Sequence, residues 1–144
     1  MIRRMEHTNV EEVMKIWLKE NISAHYFIDK KYWITKFDLV KNMLDLADIY
    51  IFQESVENEV TGFIGLMDRS YIAGLFVQSF AQSNGIGSQL LNKAKSLGSH
   101  LQLEVYRKNT HAIQFYSRHG FVISEERVNV VTNEQELVMK WNRI

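Results

Sequence analysis

The sequence predicts an α+β (mixed α/β) fold: one central mixed sheet, mostly antiparallel, flanked by helices in the order β-α-α-β-β-β-α-β-α-β-β. Three observations predict it. Apolar residues switch repeatedly between helical and strand spacing along the 144 residues. The middle strands follow one another through short polar turns, which suits antiparallel neighbours. The apolar run Tyr71 to Val77 then leads through a glycine-bearing turn, Gln82 to Gly87, into an amphipathic stretch and a further strand, which requires a parallel crossover.

Ile2 to Met5 reads as a short first strand. Thr8, with Glu11 three residues later, has the pattern of a capping box, and Val10, Val13, Met14 and Trp17 follow at helical spacing. Asn21 to Trp33 is a loop or broken helix rich in aromatics, and Phe37, Val40, Met43 and Leu44 mark a second helix. Ile49 to Gln53 and Val60 to Met67 are strands joined through Glu57-Asn58. Tyr71 to Val77 is nearly continuous in apolar character, as in a strand buried on both faces. Leu90, Leu91, Ala94 and Leu97 line one face of a helix that Gly98 is placed to cap. Leu101 to Tyr106 alternates as a strand does. Asn109 caps a helix carrying Ala112, Ile113, Phe115 and Tyr116, which His119-Gly120 ends; Phe121 to Glu125 and Glu136 to Trp141 are the last strands.

Composition narrows the function classes. The chain length suits a single domain, residues 1–144, with a core that needs no staples. Seventeen basic and seventeen acidic side chains cancel, so no broad electrostatic attraction to nucleic acid or to an anionic membrane is expected. With no cysteine, thiolate metal sites and a cysteine nucleophile are excluded. His25, His111 and His119 have no partner at ligand spacing, so no metal site is expected. Arg3-Arg4 has no apolar run behind it and Ile72 to Val77 is too short to span a bilayer, so the expected location is cytoplasmic.

The turn Gln82-Ser83-Asn84-Gly85-Ile86-Gly87-Ser88 carries the chemistry. A helix N-terminus presents N–H groups without intrahelical partners, backed by the positive end of the helix dipole, and glycines let a diphosphate approach the backbone. A dinucleotide fingerprint needs a third glycine where Leu90 stands, and a Walker loop needs Lys-Ser/Thr where Ser88-Gln89 follow Gly87. Neither pattern is met, yet the backbone donors remain.

Gln82-x-x-Gly85-x-Gly87 resembles the Gln/Arg-x-x-Gly-x-Gly/Ala motif of the GCN5-related N-acetyltransferase (GNAT) superfamily. Leu103-Glu104-Val105-Tyr106, followed by Asn109-x-x-Ala112-Ile113-x-Phe115-Tyr116-x-x-x-Gly120-Phe121, is similar to its second conserved pattern. The element order resembles the GNAT fold from end to end, and Ile16-Trp17-Leu18 through Tyr32-Trp33 resembles the small bacterial YiaC-type branch. Ser79 departs from a common proline, and Ser83 from a common glycine; a slightly altered turn with intact binding is expected.

The resemblance implies an acetyl-CoA-dependent N-acetyltransferase acting by direct transfer to a primary amine, without a metal. The acceptor is a protein or peptide lysine, an N-terminus or a small amine. It implies that Gln82 to Ser88 hold the pyrophosphate and that Leu75 and Val77 offer backbone groups to the pantetheine and the acetyl carbonyl. Asn109 contacts the pantetheine arm, and Phe115 belongs to the cofactor site. Tyr116 is the implied general acid, a phenol of pKa ~10 facing a thiolate whose conjugate acid titrates near ~8.5; its other reading is core packing. Glu104 is either a general base acting through water or a structural carboxylate paired with a basic neighbour. His25, Phe27, Tyr32 and Trp33, joined by Arg69 and Tyr71, either line the acceptor pocket or form an apolar flap on the sheet. A monomer or homodimer is expected. A CoA-binding sensor with little activity is the alternative function.

Overall fold

The computed structural model describes all residues, Met1–Ile144. A single seven-stranded sheet runs in the order β1-β2-β3-β4-β5-β7-β6. The elements are β1 (Ile2–Arg4), α1 (Val10–Ala24), α2 (Lys30–Met43), β2 (Asp48–Phe52), β3 (Gly62–Met67), β4 (Tyr71–Val77), α3 (Ile86–Leu97), β5 (His100–Tyr106), α4 (Thr110–Arg118), β6 (Val122–Asn129) and β7 (Glu134–Asn142). This is the order expected from the sequence. No helix is long and apolar enough to cross a membrane.

Alternation along the strands divides the interior between the two faces of the sheet. Tyr50, Phe52, Ile64, Leu66, Leu101, Leu103, Val105, Leu137 and Met139 form one core with Leu90, Leu91 and Ala94 of α3 and Tyr116 of α4. Ile49, Ile51 and Phe63 face the other way, onto Val13, Met14 and Ile16 of α1. This second core involves only the β2–β3 half of the sheet, together with the partly buried Phe76 of β4. On β5–β7, the face opposite the first core carries Glu104, Tyr106, Glu136 and Arg127, aligned by the pairs Tyr106↔Glu136 and Arg127↔Glu136.

The sheet opens at its one parallel junction. β4 and β5 pair only at Tyr71↔Gln102, with the Gln102 N–H donating to the Ser70 carbonyl at 2.8 Å. Beyond that point the strands part, leaving the facing edges of both without a ladder. The register between β3 and β4 also shifts: Gly65 faces Gly74 and Leu66 faces Ile72, so Ala73 has no partner. This bulge switches the alternation. It sends Leu75 and Val77 toward the core under α3 and α4, the same side as Ile72.

Several sequence expectations are corrected or narrowed. Only Ile72 of β4 is buried, and Ala73 is exposed, so the apolar run faces an open cleft over part of its length. The first helical turn is set by the Glu6 N–H donating to Asn9 Oδ1 at 3.0 Å, ahead of the Thr8 position. The aromatic stretch takes the broken-helix form of the two expected: α1 runs to Ala24, and Asp29 caps α2 by accepting from the Lys31 N–H at 2.9 Å. Gly98 is the C-cap of α3 as expected, but it is extended (φ −142°), and glycine is required there for close approach, because a Cβ would lie 2.4 Å from the Arg69 carbonyl oxygen. β6 continues to Asn129, where its charged residues pair with β7.

Candidate active site

A cleft of about 300 Å³ lies between the C-terminal half of β4, the glycine turn and α4. Leu75 and Val77 line it from β4; Gln82, Ser83, Gly85, Ile86, Gly87 and Ser88 from the glycine turn; and Phe115 and Tyr116 from α4. Ten of the sequence-derived site residues therefore meet in one cavity.

The turn leaves its helix end open. Gly85 is the residue before α3 and has φ +79°, the left-handed conformation that glycine tolerates best. It has no side chain to cap the helix, and the first α-helical hydrogen bond runs from the Gln89 N–H to the Gly85 carbonyl at 3.1 Å. The N–H groups of Ile86, Gly87 and Ser88 therefore have no intrahelical acceptor, and all three residues line the cleft. Ser83 holds φ +70°, so the expected alteration of the turn takes the form of a serine in a conformation that suits glycine. Asn84 is the exception in the turn. Its side chain donates to the Ala81 carbonyl at 3.2 Å and does not line the cleft.

Tyr116 closes the cleft on the α4 side. It is only 8% exposed and packs against Phe115 and Phe121, with ring centroids 5.2 Å and 5.3 Å away. Burial pushes its phenol well above the usual range, so it keeps its proton at any working pH. Its hydroxyl makes no hydrogen bond to the rest of the protein.

Asn109 lies one cavity over, in a polar hollow of about 300 Å³ with Glu20, Ser23, Ser79 and Lys108; Gln82 and His111 line both spaces. The Asn109 Oδ1 caps α4 by accepting from the Ala112 N–H at 3.3 Å, and its Nδ2 lies 3.4 Å from His25 Nε2. That contact makes Nε2 the acceptor and puts the imidazole proton on the buried Nδ1, on the side of the Asn21 backbone carbonyl. Trp33 Nε1, on the ring stacked against His25 at 5.1 Å, is buried without a partner. His25, Phe27, Tyr32 and Trp33 thus pack together, and His25 and Phe27 meet Tyr106 of β5.

Burial lowers the His25 pKa from 6.5 to about 4. Between those values the unfolded chain binds a proton that the native protein does not, so stability is complete above pH 6.5 and declines as pH falls toward 4. The full difference is on the order of 3 kcal/mol. Chemical denaturation at pH 7 and pH 4.5 should show wild type losing about 2–3 kcal/mol more than His25→Phe. Parallel losses in the two proteins would show that His25 titrates normally.

Glu104 lies on the charged face of β5 and does not line the cleft. One oxygen accepts from the Tyr71 hydroxyl at 2.5 Å, and the other is ion-paired with Arg127. Arg127 also binds Glu136 at 3.0 Å and approaches Glu125 at 3.9 Å. The carboxylate therefore has the basic partner that its structural reading requires. Tyr71 joins this network, whereas Arg69 does not. With φ +54°, matching that of Asp68, Arg69 forms the hairpin turn between β3 and β4, and its carbonyl packs against Gly98.

Sequence reasoning missed several cleft residues. His111, Ala112 and Arg118 line it from α4. They share a helix face with Phe115 by spacing, which was the available signal. Ala81 and the Ala73 bulge had no comparable signal.

The family described as "Acetyltransferase (GNAT) domain" matches residues 23–135. The chain is also 31% identical over 142 residues to peptidyl-lysine N-acetyltransferase YiaC of Escherichia coli K12, covering 98% of this chain and 96% of YiaC. This chain belongs to the GNAT acetyltransferases. The solution structure of apo YjaB from Escherichia coli superposes with a TM-score of 0.84 at 25% identity, covering 100% of this chain and 98% of YjaB. The N-acetyltransferase PaiA of Thermoplasma acidophilum, solved with coenzyme A, shares the fold at a TM-score of 0.76 and 16% identity, covering 99% and 98% of the two chains. As a GNAT acetyltransferase the chain is an enzyme.

Proposed function

We propose that this GNAT acetyltransferase transfers the acetyl group of acetyl-CoA to the side-chain amine of a peptidyl lysine. The observation that carries the reading is the uncapped α3 N-terminus, opening on a cleft whose other wall ends at Tyr116. An anion such as a diphosphate fits the free N–H groups of Ile86 to Ser88, and an acyl-bearing arm fits between Leu75, Val77 and Phe115. PaiA, which shares the fold, was solved with coenzyme A.

The acceptor assignment rests on the other side of the sheet. Three carboxylates, Glu104, Glu125 and Glu136, surround the single guanidinium of Arg127 on the face that α1 and α2 leave open, which suits a cationic side chain. YiaC, whose name specifies peptidyl lysine, supports the same class.

In this mechanism the ammonium releases its proton to water on the carboxylate-bearing face of the sheet, and the neutral amine attacks the thioester carbonyl. Backbone N–H groups on the unladdered edge of β4 receive the developing oxyanion. As the carbon–sulfur bond breaks, Tyr116 donates its phenolic proton to the departing sulfur, while the nitrogen of the tetrahedral intermediate releases its second proton to water, from which the phenol is restored. No covalent enzyme intermediate arises, in keeping with the absence of cysteine.

Thiol release from acetyl-CoA should be measured with lysine peptides, free lysine and polyamines, and the products identified by mass spectrometry. Turnover on lysine peptides, with acetylation at Nζ, is expected. Preference for a polyamine would retain the enzyme and replace the acceptor; binding of acetyl-CoA without turnover on any amine would overturn the transfer reading.

A further inference from the structure

Glu20 is a buried carboxylate with no cationic partner. It lies in the last two turns of α1 and is 5% exposed, far more buried than an unpaired glutamate ordinarily is. Every donor it meets belongs to the segment that enters the glycine turn. Ser79 Oγ donates to its two oxygens at 3.2 Å and 3.3 Å, the Ser79 N–H lies 3.3 Å from Oε2, and Gln82 Nε2 lies 3.4 Å from Oε1. Gln82 Nε2 also donates to the Val77 carbonyl at 2.9 Å. One carboxylate thus joins α1 to both ends of the short helical turn Ser79–Ala81, immediately before Gly85 and the open end of α3.

The preceding residue is anchored independently. The Gln78 N–H donates to the Thr61 carbonyl and its Nε2 to the Val60 carbonyl, both at 2.8 Å. Beyond Gln78 the segment is exposed from Gln82 to Gly85 and contributes only Ala81 to the core. Its order therefore depends on few contacts, and Glu20 supplies three of its donors with their acceptor. A desolvated carboxylate is costly unless such donors satisfy it, so the arrangement fixes both partners.

We infer that Glu20 is a positioning residue for the cofactor turn: by holding Ser79 and Gln82 against α1, it presets the backbone from Ser79 to Gly85 for the diphosphate. This rests on the reading of the turn as the acetyl-CoA diphosphate site. Segments already ordered before binding lose less entropy on binding, so the contribution of Glu20 appears in acetyl-CoA affinity and not in the chemical step. The charge of Glu20 acts in the opposite sense, because an anion beside a diphosphate weakens binding. Three hydrogen bonds to the carboxylate and its placement behind the turn make positioning the larger effect.

The test uses the full chain. In Glu20→Ala, acetyl-CoA dissociation measured by calorimetry should weaken roughly tenfold, with kcat at saturating acetyl-CoA within about twofold of wild type. Glu20→Gln, which keeps an acceptor oxygen for Ser79, should weaken it only about threefold. Adding Ser79→Pro to Glu20→Ala should restore most of the affinity. Gln78 already has φ −58° and ψ 141°, as a residue before proline requires, and the first position of a helical turn accommodates proline without a lost helical bond. A merely structural role would lower thermal stability and active fraction without rescue by proline.

Amide exchange of residues 80–85 in the cofactor-free protein provides a readout independent of binding. It should be faster in Glu20→Ala and slow again in the double variant, with α4 unaffected. Unchanged exchange at 80–85 in folded Glu20→Ala overturns the inference, as does acetyl-CoA binding that stays equal or tightens. If wild type binds no acetyl-CoA while exchange responds as expected, the diphosphate reading fails and the positioning of the turn by Glu20 stands.

Discussion

Tyr116→Phe should lower the rate of acetyl transfer by about 10²–10⁴ while acetyl-CoA affinity stays close to wild type. The substitution keeps the ring that packs between Phe115 and Phe121 and removes only the hydroxyl. That hydroxyl has no protein partner, so its loss orphans no buried group and stability should change little. Kinetic and structural consequences are therefore separable here, as they are not for most buried residues.

Burial also decides the direction of proton traffic. Desolvation holds the Tyr116 phenol neutral, which makes it a donor and unsuits it as a base. A phenol with a raised pKa is a weaker acid than its free counterpart, which by itself slows donation. A thiolate departing into the same apolar wall loses its hydration too and becomes correspondingly more basic. The two shifts run in parallel, so the mismatch between acid and leaving group stays modest. Rates at saturating acetyl-CoA and lysine peptide, with acetyl-CoA affinity measured separately, provide the check. A wild-type rate in Tyr116→Phe, with chemistry shown to be rate-limiting, would remove Tyr116 from the mechanism.

What was legible in the sequence was whatever short-range physics governs. The glycine turn, the Asn109 cap and the alternation of β5 each depend on neighbours within a few residues, and each occurs where the sequence puts it. Tyr71 to Val77 was misread because apolar character does not reveal what covers it. A strand lining an empty cleft and a strand buried by protein have the same composition, and the Ala73 bulge that aims Leu75 and Val77 has no signal of its own. Glu104 shows the same limit. Its position on β5 was readable, but Arg127 reaches it from β6, 23 residues later and across an intervening strand. Glu20 carries no sequence signal, because a single glutamate in a helix normally faces water, and only the tertiary fold brings Ser79 and Gln82 over it.

Gly87→Asp should abolish acetyl-CoA binding, by roughly 10³-fold or more, in a protein that still folds. A Cβ at this position would lie 3.4 Å from two Phe115 ring carbons and 3.8 Å from Val77 Cγ2, in ordinary contact with two walls of the cleft. The added carboxylate would enter the helix end where Ile86, Gly87 and Ser88 have no intrahelical acceptors. An aspartate in the first turn of α3 interacts favourably with the dipole, by about 0.3–1 kcal/mol, so the substitution stabilises the helix locally. The same contact makes it a resident anion in the place proposed for the diphosphate. It competes for the donors and adds like-charge repulsion to their loss, and two or three charge-assisted hydrogen bonds at about 1.5–3 kcal/mol each give the expected magnitude. Gly87→Ala separates bulk from charge, since its methyl fits at contact distance and should cost far less affinity. Calorimetric titration of both variants, alongside thermal melts, checks the expectation. A folded Gly87→Asp protein that binds acetyl-CoA as wild type does would show that the diphosphate is held elsewhere.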